Sequence, residues 1–333
     1  IMLARKAKGE SAWTYSYPLP YLDAEKIKYM NISFVIDRAG AHGVKGRIFM
    51  FFMQIHITSV NHGALTTPGT TSDDIDAMYI YSDNDGVSWS EKVSCKQNWD
   101  TSVYRAMAPA PSNGIQLTNG TLVVPCIGWM GTYGISGIMY KRVSDTSWQF
   151  SPRTLINGDN ECTVWEGVEP NSIYLSCRNE VSPFTRPVYK FDITSKSWHR
   201  VEENFDSGQC IEASIIKVIL NKRTYFLYSI PDPIDRSGSP ENKRRRTTVW
   251  LSRDGLTWMR VLRLKETSDG IGKGYSNLAE YDGKLVIIYE DYNVCTFVDL
   301  TNAIPLFEKS YDMLNREGWR EEIMMEKLLG VYQ

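Results

Sequence analysis

The sequence predicts an all-β chain made of a repeated, blade-sized unit. Three observations carry this. First, few segments show a helical period. Most are short runs rich in Val, Ile, Tyr and Phe, parted by Gly, Asn, Asp and Ser, as at 46–53, 77–81, 121–124, 224–228, 248–251 and 284–289. Second, tryptophans fall at 89, 148, 198 and 258, at intervals of 59, 50 and 60 residues. Third, each of these tryptophans closes a short polar segment of related form. A four-stranded antiparallel unit with its loops needs about fifty residues, and regular repetition at that period reads as a β-propeller.

Bulk properties fit an ordinary globular protein. The chain has 333 residues, 42% hydrophobic and 23% charged, with a formal net charge of −2. That balance gives no sign of a nucleic-acid partner. The dense basic run Lys243-Arg244-Arg245-Arg246 is too short to be a tail. With no apolar run of about 18 residues, no membrane span is expected. The chain opens at Ile1, so the absence of a visible signal peptide decides nothing. Sequons at Asn31 and Asn119 permit glycosylation, and an extracellular or lysosomal setting is favoured over a cytoplasmic one. The six cysteines (95, 126, 162, 177, 210, 295) form no CxxC pair. Cys162 and Cys177 could face each other across a hairpin, but the set reads as buried free thiols.

Residues 1–29 offer a short strand at Ile1-Met2-Leu3-Ala4 and a loop from Ser11 to Pro20. Ser82-Asp83-Asn84-Asp85-Gly86-Val87-Ser88-Trp89 has the form of an Asp-box, S-x-D-x-G-x-T-W, with Asn at the acidic place. Ser252-Arg253-Asp254-Gly255-Leu256-Thr257-Trp258 is a second, one residue shorter. Weaker echoes end at Trp148 and Trp198. Such boxes are hairpin turns held by Asx-type hydrogen bonds, and the expected role is structural. Beyond residue 310, Trp319, Ile323, Met324 and Leu328 suit an amphipathic helix. The expected division is a propeller over 1–310 and a helical tail over 311–333 packed on it.

The chain is organised around Asn160-Glu161-Cys162-Thr163-Val164 and Cys177-Arg178-Asn179. An acid enters one strand and an arginine leaves its partner, which places both at one end of a small sheet. N-E-C-T-V followed by L-x-C-R-N resembles the central blade of the exo-sialidases. Further matches follow in order. Ala110 to Leu117 and Asn119 to Pro125 resemble G-P-G-x-G-I-Q-L and N-G-R-L-V-V-P. Cys210 to Ile216 resembles C-Q-A-S-L with departures. Arg244 to Ser252 resembles R-x-N-L-T-V-R-L-S, and Gly274-Tyr275-Ser276-Asn277-Leu278-Ala279 resembles A-Y-S-D-L-A. One departure stands out. The family's first strand carries an arginine in [FY]-R-I-P, and here Met30-Asn31-Ile32-Ser33 or Phe34-Val35-Ile36-Asp37 offers none.

The resemblance implies a six-bladed propeller and hydrolysis of terminal sialosides with retention, without metal or organic cofactor. The implied partners are sialylated glycans. Sialic acid bears a carboxylate on its anomeric carbon. Guanidinium forks bind such a planar anion, so Arg178 and Arg244 are the implied carboxylate ligands. That same charge would repel a carboxylate nucleophile, and a tyrosine avoids the repulsion. Tyr275 is the implied nucleophile and Glu161 the base that takes its proton. The family's acid would fall within residues 54–76, where Asp73, Asp74 and Asp76 are undistinguished and His56 and His62 are weaker donors. The alternative is a sialoside-binding propeller that keeps the pocket without the chemistry.

Overall fold

The structure, a computed structural model, describes residues 1–19, 26–57, 74–95, 106–130, 133–179, 186–201, 211–231, 247–264, 274–281, 283–291, 294–314 and 331–332. The chain divides into two compact units, Ile1–Arg153 and Thr154–Gln333.

The first unit opens with a two-stranded ribbon, β1 (Leu3–Arg5) and β2 (Thr14–Ser16). A four-stranded antiparallel sheet follows in the order β3 (Ile27–Asp37), β4 (Arg47–His56), β5 (Ile75–Ser82) and β6 (Val93–Ser94). Asp37 closes the β3–β4 turn by accepting the backbone N–H groups of Gly40, Ala41 and His42. The next sheet comprises β7 (Ala106–Pro109), β8 (Ile115–Gln116), β9 (Leu122–Met130), β10 (Tyr133–Lys141) and β11 (Gln149–Phe150). Phe49, Phe51, Met107, Val124, Ile135 and Trp148 build one core between these sheets, and Trp148 meets both phenylalanine rings edge-on.

Among the described residues, the second unit holds three sheets. One runs β12 (Asp159–Glu166), β13 (Ile173–Asn179), β14 (Val188–Asp192) and β15 (Ser197–Val201). The next runs β16 (Ser214–Leu220), β17 (Arg223–Pro231), β18 (Thr247–Ser252) and β19 (Met259–Leu264). The last has three strands, β20 (Ser276–Tyr281), β21 (Lys284–Asp291) and β22 (Val294–Asp299). A helix, α1 (Ile304–Met313), follows β22 and buries Phe307 against Leu251, Leu262 and Leu285. Tyr311 of α1 lies under the guanidinium groups of Arg223 and Arg253. A final short strand, β23 (Val331–Tyr332), pairs in parallel with β19. The tail helix expected around Trp319 to Leu328 lies outside the described residues.

The expected six blades are corrected to five blade sheets among the described residues. Trp89 lies between β5 and β6, Trp148 directly before β11, Trp198 in β15 and Trp258 directly before β19. Each therefore marks the last hairpin of a blade, and together they count four. The sheet of β20–β22 is the fifth, and its last strand leads into α1 without a further hairpin. Among the described residues, the N-terminal segment supplies only the three-residue strands of the β1–β2 ribbon. The number six came from the resemblance and not from the repeat.

The turns before the tryptophans are hydrogen-bonded as their residues require. Asn84 Oδ1 accepts from the Ser82 hydroxyl and from the Ser88 N–H, each at 2.9 Å. Asp254 Oδ1 accepts from Ser252, Leu256 and Thr257 at 2.7–2.8 Å. In both turns the following glycine, Gly86 or Gly255, has φ near +78° and donates its N–H to the serine.

Candidate active site

The β12–β13 hairpin carries the first part of the site. Its register sets Asp159 opposite Asn179 and Asn160 opposite Arg178, and then slips at a bulge between Asn160 and Thr163. Glu161 and Cys162 lie in that bulge. Glu161 has φ +38°, an uncommon conformation for a residue with a β-carbon. A bulge re-aims a side chain, and here Glu161 Oε2 accepts a 2.6 Å hydrogen bond from Arg178 Nη1.

Two devices hold the bulge. Cys162 and Cys177 form a disulfide one residue inside the Glu161–Arg178 pair on both strands, with Cα atoms 4.2 Å apart. This corrects the reading of these two cysteines as free thiols. The pairing across the hairpin that the spacing allowed is the one formed, next to the register slip between Asn160 and Thr163. Cys95 and Cys126 are free and buried, as expected; burial pushes the Cys95 thiol up to about 12. Cys295 is free but exposed, and Cys210 lies outside the described residues.

The second device is a polar latch at the mouth of the hairpin. The fully buried Asp159 accepts from the Tyr189 hydroxyl at 2.6 Å and from the Asn179 amide at 3.0 Å. Burial raises the Asp159 carboxyl above its ordinary value, although Tyr189, Asn179 and Thr154 donate to it. Sequence reasoning missed this latch. Strict alternation would give Asp159 and Glu161 the same surroundings, and the bulge separates them.

Tyr275 enters from the last sheet. Gly274, with φ +78°, turns the chain just ahead of β20. Hydrogen bonds between the first strands of the three sheets position it. Thr163 Oγ1 in β12 accepts the Ile215 N–H of β16 at 3.2 Å, and Ser214 Oγ in β16 accepts the Leu278 N–H of β20 at 3.0 Å. Tyr275 then donates its phenol hydrogen to Glu161 Oε1 at 2.5 Å. Glu161 thus accepts from Tyr275 on one oxygen and from Arg178 on the other. All three residues belong to the second unit.

The remaining expected residues divide. Arg244, Arg245, Arg246, Asp73 and His62 lie outside the described residues. Asp74 precedes β5, and Asp76 within it approaches His56 Nε2 at 3.4 Å. Strand β3 also has a bulge, between Met30 and Ser33, and its left-handed residue is Asn31 at φ +52°. In its own sheet Asn31 occupies the place that Glu161 occupies in β12. The bulge falls within Met30-Asn31-Ile32-Ser33, one of the two segments compared with [FY]-R-I-P.

Residues 39–289 match the family model described as the BNR repeat-like domain. The chain belongs to that family. This BNR-repeat protein is similar to a curated sialidase of Paraclostridium sordellii, 26% identical over 252 residues, covering 69% of this chain and 60% of that one. Among solved structures it is similar to the Hadza microbial sialidase Hz136 at a TM-score of 0.72, with 21% identity over 90% of this chain and 58% of that one. Trypanosoma rangeli sialidase, also solved in complex with sialic acid, superposes at a TM-score of 0.76 with 17% identity, over 94% of this chain and 51% of that one. These likenesses show the fold, an all-β propeller arrangement. The BNR-repeat chain spans 60% or less of the length of each of these relatives. No helix among its described residues is long and apolar enough to cross a membrane.

Proposed function

We propose that this BNR-repeat protein is an exo-α-sialidase that removes terminal sialic acids, or a related nonulosonic acid, from glycoconjugates with retention. The observation that carries the reading is the hydrogen-bonded series Tyr275–Glu161–Arg178. A phenol with a pKa of about 10 is a poor nucleophile at neutral pH. A carboxylate accepting its hydrogen supplies the base it needs. Arg178 donates one of its five N–H groups to Glu161 and holds that carboxyl in place beside the phenol.

In the proposed reaction the Tyr275 oxygen bonds to the anomeric carbon as its proton passes to Glu161 Oε1. The bond to the aglycone breaks, and the aglycone oxygen takes up a proton from an acid outside this trio. Water then gives a proton to the conjugate base of that acid as it attacks the same carbon, and Tyr275 leaves and regains its proton from Glu161, which restores the phenol and retains configuration. Arg178, with Arg244, binds the substrate carboxylate. The family membership and the sialidase relatives support the reading. The test is release of a fluorogenic aglycone from a panel of nonulosonic acid glycosides, with the configuration of the first product read by NMR. No turnover across the panel would overturn it.

A second reading is a sialoside-binding propeller without turnover. Asn31 favours it, because the bulge of β3 carries an amide side chain and no guanidinium. Binding of sialosides by calorimetry without release of aglycone would select it.

A further inference from the structure

One acid beside the Tyr275–Glu161 pair has no part in the proposed reaction. Glu212 stands two residues before β16, the strand whose Ser214 ties β20 in place. It is 2% exposed. Its Oε2 accepts the backbone N–H of Ser276 at 3.2 Å, the residue directly after Tyr275. Its Oε1 is buried and has no hydrogen-bond partner among the described residues. A carboxylate has about four acceptor sites to satisfy, and one backbone N–H is far too little to hold a buried anion. Among the described residues, the charged groups that act on it are Glu161 of β12, Glu290 of β21 and Arg186 ahead of β14. Arg186 is itself buried, donates to the Ile211 carbonyl next to Glu212, and leaves Nη2 without a partner among the described residues.

We propose that Glu212 is a positioning residue of this site, kept as an uncharged acid that fixes the backbone directly behind Tyr275 and leaves Glu161 as the negative charge in contact with the phenol. The role in turnover rests on the sialidase reading; the state of the acid does not. Two carboxylates with different surroundings take different protonation states. Glu161 is partly exposed and paired to a guanidinium. Glu212 is sealed and nearly unsatisfied, so it holds its proton. Burial drives its carboxyl well above the ordinary value of 4.5, and the charge on Glu161 adds to this. Where the resembled C-Q-A-S-L segment has an amide, this chain has a group that matches an amide in shape and charge only while protonated.

The sign of the pH effect follows. A buried acid with a raised pKa binds its proton more tightly folded than unfolded. Stability attributable to it is therefore full below about pH 4.5 and is lost as pH rises toward the folded pKa. Glu212→Gln keeps the acceptor for Ser276 and cannot ionise. Melting temperature should fall from about pH 5 to pH 8 more steeply in the parent than in Glu212→Gln, with the two meeting at the acid end. This arm needs no substrate. If the two profiles run parallel, Glu212 does not titrate in that window and the proposal fails. In turnover, Glu212→Gln should stay within about threefold of the parent near pH 5. Glu212→Leu, which strips the Ser276 N–H of its acceptor, should lose about tenfold or more in kcat with little change in KM. Equal loss in both variants, each still folded, would also overturn the proposal. A parent without turnover on any substrate would remove the sialidase reading and leave the melting comparison to decide the state of the acid.

Discussion

Tyr275 and Glu161, 114 residues apart in the chain, share a 2.5 Å hydrogen bond in which the phenol is the donor. Tyr275→Phe removes that bond and the attacking oxygen while leaving the ring. Turnover of a fluorogenic sialoside should fall by about 10²–10⁴-fold, the usual worth of a nucleophile and its base. Binding of free sialic acid, measured by calorimetry, should change by no more than about threefold. Retention of full activity would exclude Tyr275 as the nucleophile.

Arg178 is held on Glu161 at 2.6 Å by a planar group with several donors. Lysine keeps the charge and loses the fork. Arg178→Lys is expected to weaken sialic acid binding about tenfold or more, and to reduce kcat as well because Glu161 loses its fixed partner. A variant in which KM and kcat are both unchanged would show that the guanidinium shape is irrelevant.

The Cys162–Cys177 bridge closes a sequence separation of 15 residues. Chain-entropy reasoning gives about 3 kcal/mol for a loop of that size. Cys162→Ser combined with Cys177→Ser should therefore lower the melting temperature by several degrees. Because both cysteines adjoin the Glu161–Arg178 pair, kcat should fall along with stability. Identical melting curves would show that the bridge contributes no stability.

Tyr189 donates to the buried Asp159 at 2.6 Å. Tyr189→Phe leaves that carboxyl short of a donor, at a cost of about 1–3 kcal/mol. Asp159 has a raised pKa, so its penalty grows as pH climbs above the ordinary value of 3.8. The variant should thus lose more stability at pH 7 than at pH 4 when melting is followed at both. Equal losses would mean that Asp159 has the same charge at the two values.

Much of this was legible in the residues. The intervals between Trp89, Trp148, Trp198 and Trp258 located the last hairpin of four blades. The strings around Glu161 and Arg178 located the pair, because an acid opening one strand and an arginine closing the next must meet in an antiparallel hairpin. What could not be read was the slip in register at Glu161. A bulge depends on pairing with a partner strand, and alternation counted along one strand passes over it. The Asp159–Tyr189 latch was hidden for the same reason, while the Cys162–Cys177 bridge was visible as a possibility and ranked below free thiols. Glu212 was hidden because its state depends on the burial that three separate sheets impose. A sixth blade was expected from likeness alone, and the repeat contained no mark for it.

The two bulges also differ in conformational ease. Asn31 adopts φ +52° with a residue type that visits this region readily, while Glu161 adopts +38° with one that does not. A backbone held there costs about 1–3 kcal/mol. Laboratory selection for thermal tolerance alone would press on position 161, as on Lys26, Lys196 and Lys222, since Asn or Gly relaxes the turn. Variants changed at position 161 would be sturdier proteins without the carboxyl that receives the Tyr275 hydrogen bond, so any campaign to harden this scaffold has to screen for the proposed turnover alongside melting.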